Sequence, residues 1–127
     1  MTNPQDISMG IYGILNGTVS DNVYDETAPN KLPDNCTDFV IYDLGSFKPA
    51  YDYDSGSISR GFVSIHCFAK NKSNGIKNTA KLKLMADACT NAINTNILFR
   101  ASLSEIQVTT RGIGDFHGQT IIYNILN

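Results

Sequence analysis

The chain has 127 residues, 42% hydrophobic and 17% charged, with a formal net charge of −2. That size and balance predict one globular domain, residues 1–127, able to hide roughly two-thirds of its unfolded surface, and they exclude a disordered chain. No apolar run approaches the ~20 residues of a membrane-spanning helix. The lack of Trp and of interleaved aromatic and basic residues speaks against a single-strand nucleic-acid binder, so no membrane and no specific nucleic acid is expected as a partner.

The small net charge hides a division. Residues 1–60 carry nine carboxylates against Lys31, Lys48 and Arg60, a net of −6, while residues 61–127 carry Asp87, Glu105 and Asp115 against seven Lys and Arg, a net of +4. A subunit with an acidic and a basic side suits head-to-tail contacts; scattered solvated charges are the plainer alternative. Met1–Asp6 lacks the basic start and apolar core of a signal peptide. Three cysteines, an odd count, fit reduced thiols in a cytosolic compartment.

In chain order, the first predicted element is a helix over Pro4–Leu15. Pro4 suits a first helical position and Asn3 a cap. Ile7, Ile11, Ile14 and Leu15 make its apolar stripe, and Gly10 and Gly13 weaken it unless it is packed. Thr18–Tyr24 reads as a short strand, and the stretch to residue 37 as a long polar loop containing Pro29 and Pro33. A strand over Asp38–Phe47 places Val40, Tyr42 and Leu44 on one face and Phe39 and Ile41 on the other, the pattern of a strand covered on both faces. Lys48–Ser57 is polar and tyrosine-rich; it exceeds the roughly two to five residues usual for a hairpin loop and is predicted to project.

The clearest signals come next. Ser59–Ala69 alternates with period two, placing Val63, Ile65, Cys67 and Ala69 on one face and Phe62, His66 and Phe68 on the other. After the polar turn Lys70–Gly75, a helix is predicted over Ile76–Asn94. Its residues Ile76, Ala80, Leu84, Ala88 and Ala92 step by four, with Met85, Cys89 and Ile93 beside them, and this face is expected to lie on the Val63–Cys67 stripe. Leu82 falls outside it. Ile97–Thr110 contains a strand with Ile106 and Val108 facing inward, Arg111–Asp115 is a turn, and Phe116–Leu126 is the last strand.

The run Val63-Ser64-Ile65-His66-Cys67-Phe68-Ala69-Lys70, a Gly-bearing turn, then Ala80, Leu84-Met85-Ala86-Asp87-Ala88 and Ala92-Ile93, resembles the tail terminator (tail-completion) proteins of long-tailed phages. That family shows a strand ending in an aromatic and a basic residue, then a helix with a Leu-Ala-Asp-Ala-like core. The N-terminal helix, Val23-Tyr24, Ala28-Pro29, Leu32-Pro33 and Phe39-Val40-Ile41-Tyr42 follow the same pattern, so the likeness covers most of the chain. The resemblance implies a structural virion protein that forms a ring, usually a hexamer, on the end of the tail tube. Such a ring stops tube polymerisation and presents the joint to the head. The implied partners are further copies of the chain, the tail tube protein and a head-completion or connector protein. The implied location is the tail or neck of the virion, assembled in the host cytoplasm.

The residues themselves offer little chemistry. Gly112-Ile113-Gly114-Asp115-Phe116-His117-Gly118 has its third glycine one position late for a dinucleotide loop and runs into a strand, so a hairpin turn is predicted there. Asp52 and Asp54 could touch a divalent cation but lack a third carboxylate at loop spacing, and a solvated loop is the simpler reading. His66 reads as a partly buried or interface residue and His117 as exposed. Cys36, Cys67 and Cys89 have no zinc-site spacing; Cys67 and Cys89 are expected in the core and Cys36 in an accessible loop. No serine sits in a Gly-x-Ser-x-Gly elbow. The chain is therefore not expected to be an enzyme or to hold a cofactor or metal.

The prediction is an α+β domain: an antiparallel sheet of four or five strands with two helices packed on one face. Its candidate subunit contacts are Phe62, His66, Phe68 and the hairpin residues Tyr51, Asp52, Tyr53 and Asp54. Two other readings stay open: another neck or tail connector such as a head-closure protein, and a small ligand-binding or enzymatic α+β domain with its site at the projecting loop.

Overall fold

The computed structural model describes residues 4–45, 48–52 and 56–126, and side chains at 5–45, 60–108 and 112–126. The class is α+β. Along the chain run α1 (Pro4–Leu15), β1 (Val23–Asp25), β2 (Asp38–Leu44), β3 (Lys48–Asp52), β4 (Gly56–Lys70), α2 (Thr79–Thr95), β5 (Arg100–Ile113) and β6 (Phe116–Leu126). The strands make one six-stranded sheet in the order β1-β2-β4-β6-β5, with β3 also on β4. It is larger than the predicted four or five strands, and mixed rather than antiparallel, because β1 runs parallel to β2.

Two local expectations shift for identifiable reasons. The strand read at Thr18–Tyr24 shrinks to Val23–Asp25, since Thr18 and Val19 still donate their N–H groups to the Leu15 carbonyl at the end of α1. The expected loop Lys48–Ser57 is instead mostly ladder: β3 pairs antiparallel with the start of β4, from Lys48 opposite Arg60 to Asp52 opposite Gly56. Backbone groups form that ladder whatever the side chains, so polar composition does not forbid it. Beyond Arg60 the described residues of β3 and β4 run past the last described β6 partner, Leu126, as a two-stranded arm.

β4 is the spine. Val63, Ile65, Cys67 and Ala69 are buried as predicted and lie opposite Tyr123, Ile121, Gln119 and His117 of β6, and opposite Leu44, Tyr42, Val40 and Asp38 of β2. This face joins one apolar cluster with Ile7, Ile11 and Leu15 of α1, Leu82, Met85, Cys89 and Ile93 of α2, and Phe99. The Leu98 side chain packs over Gly10, and a Cβ there would displace its outer methyl. Gly13 has nothing beside it.

Helix α2 corrects the predicted stripe. It begins at Thr79, where Asn78 accepts the Lys81 N–H at 3.2 Å as a cap, not at Ile76. Leu82, assigned to the outside, is 2% exposed, whereas Leu84, assigned to the core, is 66% exposed. Steps of four alone drift about 40° per step on a helix of 3.6 residues per turn, so Ile76–Ala80–Leu84–Ala88–Ala92 winds across the surface. The stripe that stays on one side alternates threes and fours: Leu82, Met85, Cys89, Ala92 and Ile93. Polar contacts hold this rotation. Gln119 donates its side-chain N–H to the Leu82 carbonyl, Thr90 Oγ1 and Tyr123 Oη share a 2.8 Å hydrogen bond, and Lys81 pairs with Asp38 at 3.0 Å.

The second face of the sheet has a core of its own. Phe39 and Phe68 are direct register partners with rings stacked at 4.7 Å, and Phe116 meets Phe39 edge-on at 5.1 Å. Tyr24, Ala28, Leu32, Cys36 and Ile41 pack around them. The long polar loop of residues 26–37 is thus a cover for this face. Gly118 lets the Phe68 ring lie flat over β6, where an added Cβ would come within 2.8 Å of it.

Candidate assembly surface

Phe68 occupies the second core at 4% exposure, so it is filled by the chain's own loop. Phe62, on the same side of β4, remains 44% exposed. Its ring lies over Gly45, where any Cβ would clash with it, and the Gly45 N–H donates to the Phe62 carbonyl at 2.7 Å. Tyr51 and Asp52 stand in β3, opposite Ser57 and Gly56. Tyr53 and Asp54 lie outside the described residues, and so does the Asp52/Asp54 cation question. Among the described residues no group of three His, Cys, Asp or Glu could hold a metal.

His66 links three adjacent strands. Its Nε2 is 3.0 Å from Asp43 Oδ2 and its Nδ1 is 2.8 Å from Thr120 Oγ1. An ionised carboxylate only accepts, so with a neutral ring Nε2 donates to Asp43 and Nδ1 accepts the Thr120 hydroxyl. The connectivity is that of a hydroxyl–imidazole–carboxylate relay. Thr120, however, is buried at 4% exposure, which keeps its oxygen from a substrate, and the network reads as a polar tie across β2, β4 and β6. His117 is half-buried and hydrogen-bonded to Asn71 Oδ1 rather than exposed, and the turn predicted over Arg111–Asp115 narrows to Gly114-Asp115, with Gly114 at φ +55°, because β5 runs on to Ile113.

The thiols divide differently from the sequence reading. Cys67 and Cys89 are fully buried as expected, but Cys36 is buried too, against Phe39 and Phe68. Burial pushes all three thiols up: Cys89 to about 12, Cys67 well above its usual value, and Cys36 more modestly. Burial likewise raises Tyr123.

The surface that sequence reasoning missed is β5. It is the last strand in the sheet order and, among the described residues, pairs with β6 alone. Leu103, Ile106, Val108 and Ile113 are between 48% and 66% exposed. Leu103 and Ile106 stand opposite Tyr123 and Ile121, so they share the core-side face as predicted for Ile106, yet remain uncovered. α2 touches β5 without burying these side chains, and Lys77, just before the helix, donates from Nζ to the Val108 carbonyl at 2.8 Å. A signal for this was present in the sequence, since Leu103 and Ile106 are three apart and can share a strand face only across a bulge. Register shifts occur between Leu103 and Glu105 and again toward Thr110 and Ile113.

Folding also turns the charge division in the sequence into a division in space. The acidic half supplies β1, where Asp21, Asp25 and Glu26 are exposed at one edge of the sheet. The basic half supplies β5 at the other edge, where Arg100 is exposed, with Glu105 further along the strand. No protein-family model matches the chain, and no curated protein matches it.

Proposed function

We propose that the chain is a ring-forming structural protein of a phage tail, a terminator that caps the tube and prepares the joint to the head. The observation that carries this reading is the β5 edge. A 14-residue strand with one free side and four exposed apolar residues is a liability in a monomer unless a partner covers it. A two-fold pairing would run two β5 edges antiparallel and cover the apolar residues, but it would leave the acidic β1 edge unmatched. A head-to-tail arrangement instead sets the basic β5 edge of one copy toward the acidic β1 edge of the next, and such heterologous contacts close into rings. In this reading both helices lie on one face of the sheet, and the β3–β4 arm reaches toward the tube or the head partner. The work is interface formation, which requires no catalytic residue. A head-closure connector would use the same edge in the same way.

The bulges along β5 twist its edge, so the contact rests on side chains more than on a continuous ladder. Light scattering after gel filtration and negative-stain images of the purified chain, alone and with tube protein, test the reading. Wild type should form closed rings. Ile106→Asp with Val108→Asp should give a folded monomer with an unchanged circular dichroism spectrum. Charged rim pairs should be screened once the Debye length falls below about 8 Å, slowing assembly more than weakening it. A wild type that stays monomeric with tube protein present, or a double variant that assembles as well as wild type, refutes the proposal.

A further inference from the structure

A second site lies at the end of the sheet where β4, β6 and β5 come level. Arg60 and Arg100 both stand directly opposite Leu126, one from each side. Direct partners in a sheet share a face, so both arginines and Leu126 project the same way, with Cα atoms two strand spacings, about 10 Å, apart. In the next row on that face Asn124 pairs with Ser102. Arg60, Arg100, Ser102, Asn124 and Leu126 line a cavity of about 470 Å³. Among the described residues neither arginine takes part in an ion pair: the three that form join Lys31 to Asp34, His66 to Asp43, and Lys81 to Asp38. The register row continues to Lys48 of β3, opposite Arg60, adding a third basic position to the same line.

We propose that this cavity binds a small organic phosphate, its phosphate held between Arg60 and Arg100 and its organic part resting on Leu126. The site shares Arg100 with the proposed assembly edge but does not rest on that reading. Two exposed guanidinium groups left facing one cavity repel each other, and an anion between them relieves that repulsion. The number of donors selects the anion. One guanidinium fork satisfies both oxygens of a carboxylate, whereas the three terminal oxygens of a phosphate monoester accept from two forks at once. The Ser102 hydroxyl and the Asn124 amide stand beside that position as further donors. The cavity is larger than a phosphate ion alone, and Leu126 between the two arginines gives an apolar surface for the remainder of the ligand.

Titration of isotopically labelled protein, followed by amide NMR, tests this with phenyl phosphate as the probe. Benzoate, inorganic phosphate and sodium chloride are compared at matched ionic strength. Phenyl phosphate should give saturable shifts at Arg60, Arg100, Ser102 and Asn124, with an affinity at least tenfold above that of benzoate and above that of inorganic phosphate. Arg60→Gln and Arg100→Gln should each weaken it tenfold or more. Arg100→Lys, which keeps the charge and loses the fork, should fall between Gln and wild type. Benzoate or inorganic phosphate binding as tightly as phenyl phosphate, shifts that follow chloride alone, or Gln variants that titrate like wild type would each overturn the assignment. Both arginines are exposed, so the variants should fold; should a variant spectrum change throughout, the ranking of the three anions on wild type decides by itself.

Discussion

Replacing Leu82 with alanine removes three buried heavy atoms from the contact between α2 and the sheet, and replacing Leu84 removes the same atoms from solvent. Leu82 is 2% exposed and sits among Met85, Cys89 and Ile93, while its own carbonyl is pinned by the Gln119 side chain. That bond keeps the helix from settling into the space left behind, so the substitution costs the transfer term plus a cavity term, about 3 kcal/mol within the 2–5 kcal/mol usual for buried Leu→Ala. For 127 residues the unfolding entropy is about 0.27 kcal/mol/K, so the melting temperature should fall by about 11 °C. Leu84→Ala should stay within about 0.5 kcal/mol of wild type, because alanine is at least as good a helix former and little burial is lost. Urea unfolding monitored by circular dichroism, with the slopes compared to check two-state behaviour, gives both values. If Leu84→Ala destabilises as much as Leu82→Ala, the rotation of α2 described above is wrong.

The second core gives a matching contrast: Phe68→Ala should cost about 3–5 kcal/mol and Phe62→Ala less than about 1.5 kcal/mol by urea unfolding, and equal costs would show that the loop of residues 26–37 does not seal that face. Alkali should destabilise the fold. The Cys89 thiol ionises near its ordinary value of 9.0 when unfolded, but burial pushes it up to about 12 when folded, so stability present below pH 9 is lost as pH rises toward 12. This thiol alone should contribute about 1.4 kcal/mol of loss per pH unit across that window, with Cys67 and Tyr123 acting in the same direction. A melting temperature identical at pH 7.5 and pH 10 would contradict it. Under native conditions near neutral pH all three thiols should resist an aromatic disulfide reagent until the protein opens, and rapid labelling of Cys36 would place it outside the second core.

Much of the local structure was legible because it depends on short-range rules. The α1 span, the two-faced character of β2, the buried stripe of β4 and the Gly114-Asp115 hairpin all follow from period, capping and turn chemistry. Those rules act within a few residues and do not need to know what lies across the core. The rotation of α2 was not legible, since its helix offers apolar residues on more than one side, and only the groove over β4 and β6, with Gln119, Tyr123 and Asp38 placed to bind it, selects Leu82 over Leu84. The cover formed by residues 26–37 was hidden for a similar reason: its polar composition describes its solvent side, while Ala28, Leu32 and Cys36 find their partners only once Phe39 and Phe68 are brought into register.

The two surface features that motivate the functional readings belong wholly to the tertiary structure. The sequence by itself determined that Leu103, Ile106 and Val108 lie in a strand and that acidic and basic residues divide along the chain. It could not say that this strand ends the sheet with those side chains uncovered, because strand order is decided by long-range pairing. The same pairing brings Arg60 and Arg100, forty positions apart in sequence, to either side of Leu126. Local sequence sets which face a side chain takes; the free energy of burying the whole sheet sets which faces and edges are left for a partner.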